Sequence, residues 1–577
     1  MSSRHRRPAF DPHRHEPALA PLVAAVARAG VLDARALDRL TKDHPKPGGG
    51  LFSKSEIIAG YRAFGGALPE REFAGRLRLR PVRTLSGVTP VTVLTRPFPC
   101  PGTCIFCPSD VRMPKSYLAD EPGAQRAEDN RFDPYLQTWN RLDAYRAMGH
   151  PVEKVELIVL GGTWSSYPEP YQVWFTLRCF EALSDFGAGC DRRAAAGVAP
   201  ADYRALRAVD GREGRRYNDA VRGSSARLHE SEHAEWSALA AAQRRNQTAA
   251  SRCVGLSFET RPDHVTEEEV LRLRRLGATK VQLGIQSLSD AVLLANRRGH
   301  DVAASRRALR RLRAAGFKLH AHWMPNLLGA TPQTDAADFE RLFEDADFRP
   351  DELKIYPCLL VESAQLMGAY ERGDWCPYDD AVLLELLEHC LAHTPRYCRL
   401  TRVVRDFSSH DIVAGTRVAN LREVAERQLA EHGQRSLDVR AREIRGAPFD
   451  RDALRLRSTV YETSVGEERF LEFTTPEDRV VAFLRLSLPR EASHVAELGR
   501  AAVIREVHVY GESLPLGDRE PARAQHSGLG RALVEEAASQ AGRAGYARLS
   551  VISAVGTRGY YRGLGFEAGA LYQQRDL

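Results

Sequence analysis

Apolar residues in this chain follow two different rhythms. Between residues 85 and 400, short apolar runs alternate with stretches whose hydrophobic positions recur every three or four residues. The runs at 89–95, 155–160, 253–259, 279–286, 317–322 and 352–356 have the length and content of strands. Residues 267–276 and 302–315 carry helical spacing between them. Strands alternating with helices predict a parallel sheet with crossover helices. The rhythm breaks at 187–250, a stretch rich in Ala, Arg and Gly that reads as an insertion of surface helices or loop. From about 455 the order changes. Strands at 470–473, 480–488 and 504–510 precede a helix at 528–543, a strand at 547–552 and a short helix at 559–563. That order predicts a second, separate α+β domain over 455–577, so the fold class is multidomain α/β.

The flanks are more polar. Residues 1–15 are expected to form a disordered basic tail. Residues 16–84 read as small helices, interrupted at Lys46-Pro-Gly-Gly-Gly50. Arg76, Arg78 and Arg80 alternate with Leu77 and Leu79, which on an extended chain puts the arginines on one face. With Arg83 they make a strip able to meet phosphates, or else a solvated edge. Residues 401–454 hold Arg402, Arg405, Arg417, Arg422, Arg435, Arg440, Arg442 and Arg445, a basic connector between the two larger regions.

Composition narrows the class. In 577 residues no apolar run reaches the ~18–20 residues of a membrane span. No apolar signal core follows the basic N-terminus, so a cytoplasmic protein without a membrane partner is expected. Ten cysteines, scattered apart from one triplet, do not make a disulfide framework. A net charge of +7, from 82 basic and 75 acidic residues, is too mild to argue nucleic-acid binding by itself.

The triplet carries the chemistry. Cys100, Cys104 and Cys107 stand at C-x3-C-x2-C spacing directly after the first predicted strand. Iron–sulfur clusters usually take four thiolates, so three would leave one iron of a 4Fe-4S cluster open to a ligand. A zinc knuckle and plain burial are the other readings. Gly161-Gly162-Thr163 follows the second strand, where glycines let a backbone approach a ligand. Glu259, Arg261 and Gln286 end later strands and point toward the same mouth. His320 and His322, two apart on a strand, share a face, and with Cys390 and Cys398 make a candidate zinc site. Near the C-terminus, Gln525-His526-Ser527-Gly528-Leu529-Gly530 opens a helix, and helix N-termini with exposed amides bind anions. Tyr560-Tyr561-Arg-Gly-Leu-Gly-Phe566 follows it.

These motifs resemble two families in sequence. The cysteine frame, with Phe106 before the third cysteine and the Gly-Gly pair downstream, resembles the radical SAM superfamily and its partial (β/α)6 barrel. The glycine loop and closing tyrosines resemble the GNAT acetyltransferases. Both together, with Arg83-Thr-Leu-Ser-Gly-Val-Thr-Pro90, Asp133-Pro-Tyr-Leu-Gln137, Glu259-Thr-Arg-Pro-Asp263, Asn296-Arg-Arg-Gly-His300 and Arg505-Glu-Val-His-Val-Tyr-Gly511, resemble the Elongator catalytic-subunit family. The resemblance covers roughly residues 75–577.

It implies a tRNA-modifying enzyme acting on the wobble uridine of the anticodon, leaving a carboxymethyl-type group on carbon 5. The implied cofactors are a 4Fe-4S cluster, S-adenosylmethionine (SAM) and acetyl-CoA, with an electron donor as partner. Reductive cleavage of SAM would make a radical that takes hydrogen from the acetyl methyl. The resulting carbon radical would add to uridine, and the thioester would then be hydrolysed. The implied SAM contacts are Phe106, Gly161, Gly162, Thr163, Glu259, Arg261 and Gln286. Lys154, Glu506, Val507, His508, Val509 and 525–530 would meet acetyl-CoA, and Tyr560 or Tyr561 would protonate the departing thiolate. Bases splayed from the anticodon need stacking partners, for which Tyr117, Phe132, Tyr135 and Trp164 are candidates. Two competing readings are a protein lysine acetyltransferase with the barrel as scaffold, and a tRNA-binding subunit whose catalysis depends on partners.

Overall fold

The computed structural model describes residues 10–29, 32–77, 84, 86–195, 214–224, 230–405, 407–418, 420–511 and 528–577. Strands β1 (Thr89–Leu94), β2 (Lys154–Leu160), β3 (Arg252–Thr260), β4 (Lys280–Gln286), β5 (Lys318–Trp323) and β6 (Glu352–Ile355) form one parallel sheet. The two-residue β7 (Leu360–Val361) leaves this sheet to pair with β9 (Ile412–Ala414), while β8 (Arg399–Arg402) joins it beside β6. The resulting half-barrel follows chain order, β1-β2-β3-β4-β5-β6-β8. Val91, Val155, Leu157, Phe258, Leu283 and Leu319 are fully buried, as parallel strands covered by helices require.

The seventh strand, β8, crosses the expected boundary at residue 400. Several arginines of the supposed basic connector are also engaged in ion pairs. Arg422 pairs with Asp438 at 2.6 Å, and Arg442 with Glu472 at 2.8 Å. Arg405 bonds the Ser116 carbonyl and Glu121. These side chains stitch the barrel edge to its surroundings.

The C-terminal sheet comprises β10 (Arg455–Glu462), β11 (Gly466–Thr474), β12 (Val480–Pro489), β13 (Ala502–Val509), β14 (Arg548–Val551), β15 (Glu567–Ala568) and β16 (Gln573–Asp576). Its order is β10-β11-β12-β13-β14-β16-β15. The sheet is antiparallel except where β13 meets β14, and there the pairing lasts only from Ala502↔Leu549 to Ile504↔Val551. Beyond Ile504 the two strands splay. The helix Leu529–Arg543 buries Leu533, Val534 and Ala537.

One hydrophobic core runs through both sheets. Their join is ionic at its centre. Arg505 of β13 forks onto Asp351, just before β6, at 2.6 and 2.7 Å, and reaches Glu468 at 2.9 Å. Burial alone would raise the Asp351 carboxyl; Arg505 and then Arg485 outweigh it and hold it well below the usual range. Arg274 of the barrel donates to the carbonyls of Ser553 and Leu571.

Three expectations are corrected here. Residues 10–15, expected to be disordered, carry a 3-10 turn at Pro12–His15 with Phe10 stacked on His15 at 5.1 Å. Arg76 is not part of an extended strip: it lies in the helix Glu70–Leu77 and binds the carbonyls of Val26, Ala27 and Ala29 at the end of the helix Glu16–Arg28. It satisfies orphan helix carbonyls instead of facing phosphate. Arg78, Arg80 and Arg83 lie outside the described residues. The 187–250 stretch is not merely superficial: helix Trp236–Asn246 buries Leu239 and Asn246, and Tyr217 and Val221 of helix Gly214–Ser224 are buried too. Among the described residues no helix is long and apolar enough to cross a membrane.

Candidate active site

The loop after β1 places all three cysteines at the mouth of the half-barrel, where they line one cavity of about 600 Å³. Arg298 Nη1 donates to the Cys104 sulfur at 3.3 Å, and Arg261 Nη1 lies 4.0 Å from it. A hydrogen bond from Cys107 and these two guanidinium groups lower Cys104 well below an ordinary thiol; its bond to Cys104 and burial raise Cys107. Burial raises Cys100. Two guanidinium groups beside the thiol loop suit an anionic cluster held there. A Cβ at Gly102 would lie 2.2 Å from Arg261 Nη1, so the guanidinium sits where any larger residue would displace it.

Four of the proposed SAM contacts surround this loop. Phe106, Gly161, Gly162 and Thr163 line the cavity. Gly161 has φ +151° and no space for a Cβ, which would fall 1.9 Å from Thr95 Oγ1. Gln286 ends β4 at φ +70°, and its Oε1 is buried without a hydrogen-bond partner. A strained residue thus holds an unpaired acceptor at the cavity wall. Glu259 accepts from Tyr117 at 3.3 Å, and burial raises its carboxyl. Arg261 also lines the cavity. Asp263 accepts from its Nε and Nη2 at 3.0 and 2.9 Å and the Arg298 carbonyl from Nη2 at 2.8 Å, which braces the cysteine loop and leaves Nη1 toward Cys104 at the cavity wall.

The cavity continues down the barrel axis. His320 and His322 face inward, and burial makes both neutral imidazoles. His320 meets Thr401 at 2.9 Å, and His322 meets Gln282 at 3.2 Å. Cys390 and Cys398 are buried in the core, and no converging metal set with the two histidines is found among the described residues. The expected four-residue zinc site is therefore not assembled. At the floor, Lys318 bridges Glu352 at 2.7 Å and Glu506 at 2.5 Å, and Arg485 reaches Glu506 at 2.9 Å. Glu506 is thus held in an ion network.

Past the floor the same cavity enters the β13–β14 splay, lined by Glu506, Val507, His508 and Tyr561. Here β13 has lost its parallel neighbour, leaving a backbone edge for a ligand amide. Gly528 caps the following helix in the left-handed conformation, φ +79°, with no side-chain hydrogen bond at the N-terminus. A Cβ on Gly530 would lie 2.8 Å from Tyr560 Oη and 3.5 Å from Val509 Cγ2, so this glycine lets strand, helix and tyrosine meet. Tyr561 is buried and faces the cavity, whereas Tyr560 is 46% exposed. Lys154 starts β2, and its neighbour Glu156 lines the cavity in its place. Gln525, His526 and Ser527 lie outside the described residues. Of the stacking candidates, Tyr117 alone lines the cavity; Trp164 stacks on Phe258 at 4.3 Å, Tyr135 on Trp139 at 5.9 Å, and Phe132 is buried.

Two residues of the site escaped sequence reasoning. Arg298 lies in a quoted motif, but nothing local linked it to Cys104. Asn218 of helix Gly214–Ser224 accepts from the Cys100 N–H and donates to the Cys100 carbonyl, both at 3.0 Å, from 118 residues away.

Comparison with known proteins agrees with this geometry. The family model for the Radical SAM superfamily matches residues 231–344, and that for the Radical_SAM C-terminal domain matches 350–431. A tRNA uridine(34) acetyltransferase of Dehalococcoides mccartyi is 36% identical over 506 residues, 86% of this chain and 99% of that protein. One from Methanocaldococcus jannaschii is 34% identical, over 87% of this chain and 86% of its own length. Human Elongator complex protein 3 is 32% identical over 87% of this chain and 86% of its own. The solved archaeal Methanocaldococcus infernus Elp3, with an N-terminal deletion, superposes with a TM-score of 0.68 at 30% identity, covering 85% of this chain and 99% of that one. A cysteine loop braced by arginines on a parallel half-barrel, with relatives this close over most of its length, places the chain in the radical SAM family of tRNA uridine(34) acetyltransferases and Elongator complex protein 3.

Proposed function

We propose that this protein modifies the wobble uridine of tRNA anticodons, using SAM-derived radical chemistry and acetyl-CoA to place a carboxymethyl-type group on carbon 5. The supporting observation is the continuity of the cavity, which joins the cysteine loop to the β13–β14 splay through the barrel axis. A scaffold for lysine acetylation alone would need no such connection.

Cys100, Cys104 and Cys107 would hold the 4Fe-4S cluster, which when bound and reduced supplies the electron for SAM cleavage. Phe106, Gly161–Thr163, Glu259 and Gln286 orient a ligand at the mouth, and Arg298 and Arg261 offset anionic charge there. The splay seats the thioester carrier against β13, with its phosphates at the N-terminus of helix Leu529–Arg543. Burial raises the Tyr561 hydroxyl far above neutral pH, so it is a proton donor in the cleft. Tyr117, with Arg405 over its ring at 5.5 Å, gives the mouth an aromatic face for an extruded base.

The test is anaerobic reconstitution with reductant, SAM, acetyl-CoA and unmodified tRNA, beside a Cys104→Ala control, with nucleosides read by mass spectrometry. A carboxymethyl-type mass gain on uridine, absent in the control, is expected. Acetylation of lysine that persists in the control, with uridine untouched, would overturn the reading.

A further inference from the structure

A second cluster of ligating side chains lies outside the cavity, on the outer helices of the barrel. Glu340 belongs to helix Pro332–Glu344, and His389 and His393 to helix Asp380–His393. A four-residue spacing puts both imidazoles on one helix face. Their rings stack with centroids 4.0 Å apart and planes 28° from parallel. Both Nε2 atoms face one oxygen, Glu340 Oε1, at 3.1 Å from His389 and 3.9 Å from His393. This is the only group among the described residues in which three such ligand atoms lie within 4.8 Å of one another.

The spacing admits one ion once the stacked rings turn their Nε2 lone pairs toward it. Tetrahedral arms of about 2.0–2.1 Å put ligand atoms about 3.3 Å apart, between the two observed distances. The tautomer of His393 is set as well. Its Nδ1 lies 2.8 Å from the His389 carbonyl, which can only accept, so Nδ1 carries the proton and Nε2 offers its lone pair to the cluster. His389 Nε2 is shielded from solvent and makes no well-aligned hydrogen bond, although a carboxylate oxygen lies close by. A cation between the two would satisfy both atoms.

We propose that Glu340, His389 and His393 bind one divalent cation of borderline softness, with Zn2+ as the best match to two imidazoles and a carboxylate, and a fourth position open to water. The ion would tie together two helices that otherwise touch through side chains alone. One of them supports the mouth: Asp338 holds Leu288 N–H, Ser287 and the Trp323 indole, and Asp335 holds Asn326 N–H. Bound metal would therefore stiffen the loops that follow β4 and β5.

The experiment uses the full chain with its cluster reconstituted, so that Cys100, Cys104 and Cys107 are occupied. Zn2+ is titrated calorimetrically into the wild type, a His389→Ala/His393→Ala double variant and a Glu340→Gln variant. Wild type is expected to bind one equivalent at micromolar affinity or better, and to melt about 2 °C or more higher at saturation. The double variant should lose that equivalent, and Glu340→Gln should weaken it about tenfold or more. Co2+ should give tetrahedral visible bands without the intense charge-transfer absorption of a thiolate ligand. Equal binding by all three proteins, or thiolate absorption in the Co2+ spectrum, would overturn the proposal. If the double variant does not fold, the Glu340→Gln titration and the Co2+ spectrum decide. Loss of cluster chemistry without loss of this equivalent would count against the proposed function alone.

Discussion

Asn218 shows how much one side chain can do at a distance. Its amide occupies both backbone groups of Cys100, and leaving buried polar groups unpaired costs about 1–3 kcal/mol. Asn218→Ala is expected to release iron to a chelator roughly tenfold faster, with little change in melting temperature. Tyr561→Phe should leave acetyl-CoA affinity intact while slowing acetyl-CoA-dependent turnover by about 10²-fold or more, as loss of a general acid does. His508 gives a pH signature. Burial pushes its imidazole down to about 4, against about 6.5 in an unfolded chain. Between those values the unfolded state binds more protons, so stability falls as pH drops from about 6.5 toward 4. Denaturation midpoints at pH 7 and pH 5 should differ less in His508→Gln than in the parent.

At the scale of elements, glycines mark where backbones must touch. Gly161→Ala would face both a positive φ and Thr95, so loss of SAM binding in an otherwise folded protein is expected, measured by equilibrium dialysis. The same scale shows what the sequence could disclose. Apolar runs for β1 to β6 were legible because each sends at least one full face of apolar side chains into the core. β8 was not, because Arg399-Leu-Thr-Arg402 looks polar and its first arginine is compensated by Glu443, 2.6 Å away but 44 positions later. The alternation at 76–80 imitated a strand, yet Leu77 is buried and Arg76 caps another helix, which makes 70–77 helical. The cysteine frame was readable because its spacing is local. Arg298 and Asn218 were not, since their partnership with that frame exists only after folding.

Across the whole molecule, the two sheets behave as one body because a buried charge centre belongs to both. Asp351 serves Arg505, Arg485 and the Leu319 N–H, and is itself fully buried. Asp351→Asn leaves Arg505 with Glu468 and Arg485 with Glu506 as their remaining carboxylates, and should cost about 1–3 kcal/mol, read as a lower midpoint in urea. Since the native carboxyl titrates below its unfolded value, this contribution is fully present above about pH 4 and is lost as pH falls toward the native pKa. Such a join also fixes length. Domains tethered by a linker can draw together or part, but here the interval from the splayed cleft to the cysteine loop is set by side chains locked from both ends. On the proposed function, the axial cavity would then work as a gauge. A thioester on too short an arm would seat its phosphates and leave its reactive carbon out of reach, while one on too long an arm would overshoot. Acyl carriers would be sorted by reach, with no contact needed to the part that differs.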